Sequence, residues 1–148
     1  MSQAHFVDTS ALLKRYVLEL GTEALQQRCF ADPGIEIFVS TLTYAEAYAT
    51  FGRLVREGDL TAGEHESILS SFESDWSSFV KVEIGSAVCR CVPDLARAYS
   101  LRGADLVQLA SATYLRARRA LDLFVVCDVR LANAALSLAF PLFNPEVG

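Results

Sequence analysis

A chain of 148 residues, 52% of them hydrophobic, has the size of one domain and ample apolar material for one core. Its net charge of −5 argues against a protein that holds nucleic acid on a broad basic surface, because such binding neutralises phosphates with Lys and Arg. A nuclease is not excluded, since a site that gathers carboxylates carries negative charge that divalent cations cancel.

The chain is expected to form one domain over residues 1–148, with no linker. Its first residues, Met-Ser-Gln-Ala-His, lack the basic stretch and apolar run of a signal peptide. No apolar segment approaches the roughly 18 residues of a membrane span. A soluble, cytoplasmic protein is the expectation.

Short apolar runs alternate with longer helical patterns, which signals an α/β sandwich built on a parallel sheet. The first run, residues 4–7, predicts a strand that ends at Asp8, and Thr9 or Ser10 can cap the helix that follows. Gly21 precedes a second helix. A second strand is expected over 35–39, after which Ser40 or Thr41 caps a third helix that runs to about Glu57 and stops at Gly58. A more polar helix should span 62–76, ahead of a strand over 79–83. Pro93 divides the 86–101 segment or begins its second helix, and Gly103 opens the next. Residues 123–127 read as a strand that ends at Asp128, and 140–143 as a short edge strand.

Several chemistries drop out. The eight glycines form neither a G-x-G nor a G-x-x-x-x-G-K pattern, so phosphate-cradling loops are missing. The two histidines, His5 in a strand and His65 in a polar helix, stand beside no evident nucleophile. Cys29, Cys89, Cys91 and Cys127 lack the paired Cys-x-x-Cys spacing of a zinc site and read as reduced thiols. The basic clusters Lys14-Arg15 and Arg116, Arg118, Arg119 read as solvated helix faces, with RNA contact as the alternative.

Four acids remain in telling places. Asp8 and Asp128 each end an apolar strand and precede a helix, where open α/β sheets bind ligands; a turn or cap is the structural alternative. Glu46 is the only charged residue between Thr41 and Gly52. Burying it alone would be costly, so a cation or hydrogen-bond network should accompany it. Asp105 lies in the first turn of a helix whose core stripe is Leu106, Leu109, Ala110 and Thr113. There it also gains about 0.3–1 kcal/mol from the helix dipole. Carboxylates brought together repel unless hard cations such as Mg²⁺ or Mn²⁺ bind between them, and that combination supports phosphodiester hydrolysis without a protein nucleophile.

The ordered set Phe6-Val7-Asp8-Thr9-Ser10-Ala11-Leu12, lone Glu46, Leu101-Arg102-Gly103-Ala104-Asp105 and Phe124-Val125-Val126-Cys127-Asp128-Val129-Arg130-Leu131 resembles the PIN-domain family, especially its VapC-type toxins. The resemblance covers nearly the whole chain. It implies a three-layer α/β/α sandwich with a central, mainly parallel sheet, and an endoribonuclease site using Mg²⁺ or Mn²⁺. Asp8, Glu46, Asp105 and Asp128 match the family's catalytic, metal-binding acids, and Ser10 matches a supporting hydroxyl. It further implies an RNA substrate, a small cognate antitoxin, and a homodimer or larger assembly. One departure is Val126, where many members carry Ser or Thr.

Two other readings compete. A PIN-like module could bind RNA or a protein partner without useful catalysis, and the aromatic residues flanking Gly58, among them Tyr44, Tyr48, Phe72 and Trp76, could form a partner groove or ordinary core. An aspartyl phosphotransferase would use Asp8 as nucleophile, yet such enzymes commonly carry a second Asp two positions later, where this chain has Ser10.

Overall fold

Alternation of side chains along a strand gives β1 (Gln3–Val7) two apolar faces, with Ala4 and Phe6 on one side of the sheet and Val7 on the other. The computed structural model, which describes residues 2–147, places β1 at the centre of five parallel strands. β2 (Ile35–Ser40) and β4 (Leu123–Val125) flank it, with His5 paired to both Ile37 and Leu123. β3 (Val80–Val82) and β5 (Leu142–Phe143) form the edges, so the order is β3-β2-β1-β4-β5. Both faces of a parallel sheet must be covered, because its crossovers place helices on each side.

The same alternation sorts the core. Phe38 and Phe124 share the side of Phe6, where Phe6 and Phe124 meet edge to face at 5.3 Å. Covering this side are α5 (Ser86–Cys89), α6 (Val92–Ala98), α7 (Gly103–Arg116) and α8 (Val129–Ser137), through Val88, Leu95, Leu109 and Leu131. Val39 and Val125 join Val7 on the other side. That side is covered by α1 (Thr9–Leu12), α2 (Thr22–Leu25), α3 (Leu42–Arg56) and α4 (Ala62–Ser78). The expected three-layer α/β/α sandwich with a parallel sheet is therefore the fold.

Element limits differ from the sequence reading where backbone pairing, rather than apolarity, sets them. β3 is three residues long instead of 79–83, and β5 two instead of 140–143. β4 stops at Val125, leaving Val126 and Cys127 to carry the chain to Asp128. Neither Thr9 nor Ser10 caps α1. Asp8 holds the extended residue before the helix, and its carbonyl accepts from Leu12 N–H at 2.9 Å. For α3 it is Ser40, not Thr41, whose hydroxyl accepts from Leu42 N–H, at 3.2 Å. That helix ends at Arg56, with Gly58 at φ 81°, a left-handed conformation that glycine adopts without strain.

The aromatic residues around Gly58 are mostly α3–α4 packing. Phe72 is fully buried and lies beside Tyr16, Tyr44, Tyr48, Phe51 and Trp76. Tyr44 and Tyr48 both donate to Glu73 on α4. Ordinary core is thus the better account of this group. α4 begins at Ala62 as expected, after a capping box in which Thr61 and Glu64 each accept the other's backbone N–H, and runs on to Ser78, past the expected end at Trp76.

Candidate active site

Parallel strands end together, so residues just past β1 and β4 necessarily share one edge of the sheet. Asp8 and Asp128 stand there. α3 and α7 start from the same edge and bring Glu46 and Asp105 to it. All four acids line a single cleft of about 290 Å³, together with Ser10 and Arg102. The four acids and Ser10, the site residues expected from the sequence, are therefore in one place.

Each acid has its own local support. Asp8 is only 5% exposed and accepts from Ser10 Oγ at 2.7 Å. Asp128 is the N-cap of α8, its Oδ1 accepting from Leu131 N–H at 2.9 Å. Glu46 Oε1 accepts from Thr9 Oγ1 at 2.7 Å and from Gln108 Nε2 at 3.1 Å. Asp105 occupies the first turn of α7, as expected.

The electrostatics report the crowding. Burial pushes the Asp8 carboxyl up to about 6; the Ser10 hydrogen bond opposes this, and Glu46 and Asp105 reinforce it. Asp105 is also raised, first by burial and then by Asp128, with Arg102 and Arg130 pulling the other way. Negative charge is thus disfavoured at two of the four acids, by burial first and by the neighbouring acids after it.

Among the described residues, no three acid, His or Cys side chains close on one point as a ready-made cation cage. The acids line the cleft instead. An all-oxygen donor set whose members repel one another nevertheless suits a hard divalent cation, which would relieve that repulsion. The carboxylates that line the cleft suit such a cation.

Neither basic cluster of the sequence borders the cleft. Lys14 is buried between Glu19 and Glu146, at 2.9 and 2.7 Å, and Arg15 pairs with Asp75 at 2.8 Å. Arg116 donates to the Leu138 carbonyl and lies over Phe140, Arg118 lies over Tyr114, and Arg119 pairs with Glu36. Arg102 is the arginine in the cleft wall.

Sequence reasoning missed Thr9 as a ligand of Glu46, and missed Thr43 and Gln108 altogether. A signal was present: Thr43 precedes Glu46 by three residues and Gln108 follows Asp105 by three, so each pair shares a helix face. Cys127 reads as structural, since burial pushes its thiol up to about 12.

No protein-family model matches the chain. Ribonuclease VapC45 from Mycobacterium tuberculosis (strain CDC 1551 / Oshkosh) is 36% identical over 110 residues, covering 72% of this chain and 73% of the relative. Ribonuclease VapC49 from Mycobacterium tuberculosis (strain ATCC 25618 / H37Rv) matches with the same identity and coverage. Among solved structures, VapBC2 from Rickettsia felis bound to a promoter DNA fragment matches with a TM-score of 0.62 at 12% identity, over 96% of this chain and 98% of that one. VapBC-1 from nontypeable Haemophilus influenzae matches with a TM-score of 0.60 at 14% identity, over 97% and 98%. At these identities the structures speak for the fold alone.

Proposed function

The chain belongs to the VapC ribonuclease family, and from that premise we propose that it is a metal-dependent endoribonuclease, the toxin of a toxin–antitoxin pair, working through Asp8, Glu46, Asp105 and Asp128. The observation that carries this reading is the convergence of these four acids, from four separate elements, in one cleft at the carboxyl edge of the sheet. We read residues 1–148 as one catalytic domain. A small antitoxin and assembly as a dimer or larger form belong to the same reading. Among the described residues no helix is long and apolar enough to cross a membrane.

The four carboxylates would hold Mg²⁺ or Mn²⁺, which when bound supplies the Lewis acidity that polarises a phosphodiester and lowers the pKa of attacking water. The chain's own residues orient the acids. Ser10 fixes one Asp8 oxygen by donating to Oδ2, and Leu131 N–H fixes one Asp128 oxygen. Thr9 and Gln108 do the same for Glu46. Arg102, which lines the cleft, would receive a phosphate of the RNA. With water as the attacking group, no nucleophilic side chain would be needed.

The test is cleavage of a mixed cellular RNA pool by purified protein freed of copurifying partner, with Mg²⁺ or Mn²⁺ and with chelator. Discrete cleavage that needs metal and disappears in Asp8→Asn and Glu46→Gln is expected. Cleavage by those variants at the parental rate would sink the mechanism.

A further inference from the structure

Gln108 is 1% exposed on α7 and lies behind the cleft rather than in its wall. Its amide nitrogen stands 3.0 Å from Thr9 Oγ1, 3.1 Å from Thr43 Oγ1 and 3.1 Å from Glu46 Oε1, while its amide oxygen is buried without a partner. An unpartnered buried acceptor is costly, so this orientation needs a reason.

Proton counting supplies it. The Thr9 hydroxyl has one proton and gives it to Glu46 Oε1 at 2.7 Å. Thr9 Oγ1 and Thr43 Oγ1 are 2.8 Å apart, so the Thr43 proton goes to Thr9. Both hydroxyl protons are then used. Turning the Gln108 amide over would set its oxygen against the Glu46 carboxylate and withdraw its two N–H groups from the three oxygens that share them, and that oxygen could gain a donor only by taking the Thr43 proton from Thr9. The network runs one way, towards Glu46 Oε1.

We propose that Gln108 is a positioning residue that, through Thr9, Thr43 and its own amide, locks one oxygen of Glu46 so that the other is held ready for a divalent cation in the cleft. Among the described residues Glu46 Oε1 takes both side-chain hydrogen bonds formed by this carboxylate. The proposal rests on the carboxylate cleft being the site. The competing account is that the cluster merely binds α1, α3 and α7 together. Groups behind a metal's ligands typically change metal affinity or activity by about 10–100-fold when removed.

The variant Gln108→Leu keeps the volume and removes every donor, and it also removes the orphaned oxygen. We expect it to melt within a few degrees of the parent. In its metal-free crystal structure the Glu46 carboxylate should leave the Thr9 hydroxyl or spread over several rotamers. Mn²⁺ titration by electron paramagnetic resonance should show binding weakened about 10-fold, and RNA cleavage should lose kcat with KM for RNA unchanged. Glu46 in its parental position with parental Mn²⁺ affinity would overturn the proposal. So would loss of the fold in both Gln108→Leu and Gln108→Met, which would make the cluster structural. Should the parent itself neither bind Mn²⁺ nor cut RNA, the site reading fails, and the position of Glu46 in the variant crystal decides the role of Gln108 by itself.

Discussion

Ser10 Oγ donates to Asp8 Oδ2 over 2.7 Å, and it is the side-chain contact that holds the Asp8 carboxyl down against burial and two neighbouring acids. The balance still leaves that carboxyl at about 6 instead of an ordinary value near 3.8. Removing the hydroxyl should let it rise further. We expect Ser10→Ala to move the Asp8 titration, followed by carboxyl carbon NMR without metal, to higher pH. A titration that stays where it was would show that the hydrogen bond does not favour the ionised form.

The raised Asp8 value also sets a pH dependence of stability. The folded state binds the Asp8 proton more tightly than the unfolded chain does, so its contribution is full below about 3.8 and is lost as pH rises through about 6. Two units correspond to about 3 kcal/mol. In metal-free buffer at pH 8, Asp8→Asn should therefore be more stable than the parent by up to about 3 kcal/mol, and the difference should shrink towards pH 4. Saturating Mg²⁺ should reverse the order by stabilising only the parent. Paired denaturant melts across pH, with and without Mg²⁺, check both; a pH-independent difference would contradict the site's electrostatics.

Asp128 has two roles that substitution can separate. Asn caps a helix about as well as Asp, whereas Ala does not. Asp128→Asn should keep the stability of α8 and lose most metal-dependent cleavage. Asp128→Ala should lose the same activity and about 1 kcal/mol besides. Equal activity in Asp128→Asn and the parent would confine Asp128 to capping.

Arg102 and Arg116 should divide function from packing. Arg102→Ala is expected to raise KM for RNA several-fold and lower the salt dependence of binding by about one counterion, with little change in melting. Arg116 lies 3.6 Å from the centre of the Phe140 ring and donates to the Leu138 carbonyl at 2.7 Å. Arg116→Ala should cost about 1–2 kcal/mol and leave cleavage unchanged. The opposite pattern would return RNA contact to the Arg116–Arg119 cluster.

Much of the fold was legible because strand alternation and helix punctuation are local. Phe6, Phe38 and Phe124 each sit in a short β-branched or aromatic run, and Gly58 and Gly103 mark helix limits. Strand ends were less legible. Val126 and Cys127 are as apolar as the strand before them, but only the partner strand decides where pairing stops. Thr9 read as a cap because it is a good capping residue, and nothing local says that Glu46, 37 residues away, will claim its hydroxyl.

The sequence by itself determined the alternation of strands and helices and the placing of Asp8 and Asp128 at strand ends, because periods of two and 3.6 residues and turn chemistry act over a few neighbours. Tertiary structure alone decided which side chains meet. Thr9 and Gln108 touch across 99 residues, and Lys14 and Glu146 across 132. Such pairs depend on strand order and on how the helices lie against the sheet, which no local pattern encodes. That is why the acids could be read from the chain and the network that holds Glu46 could not.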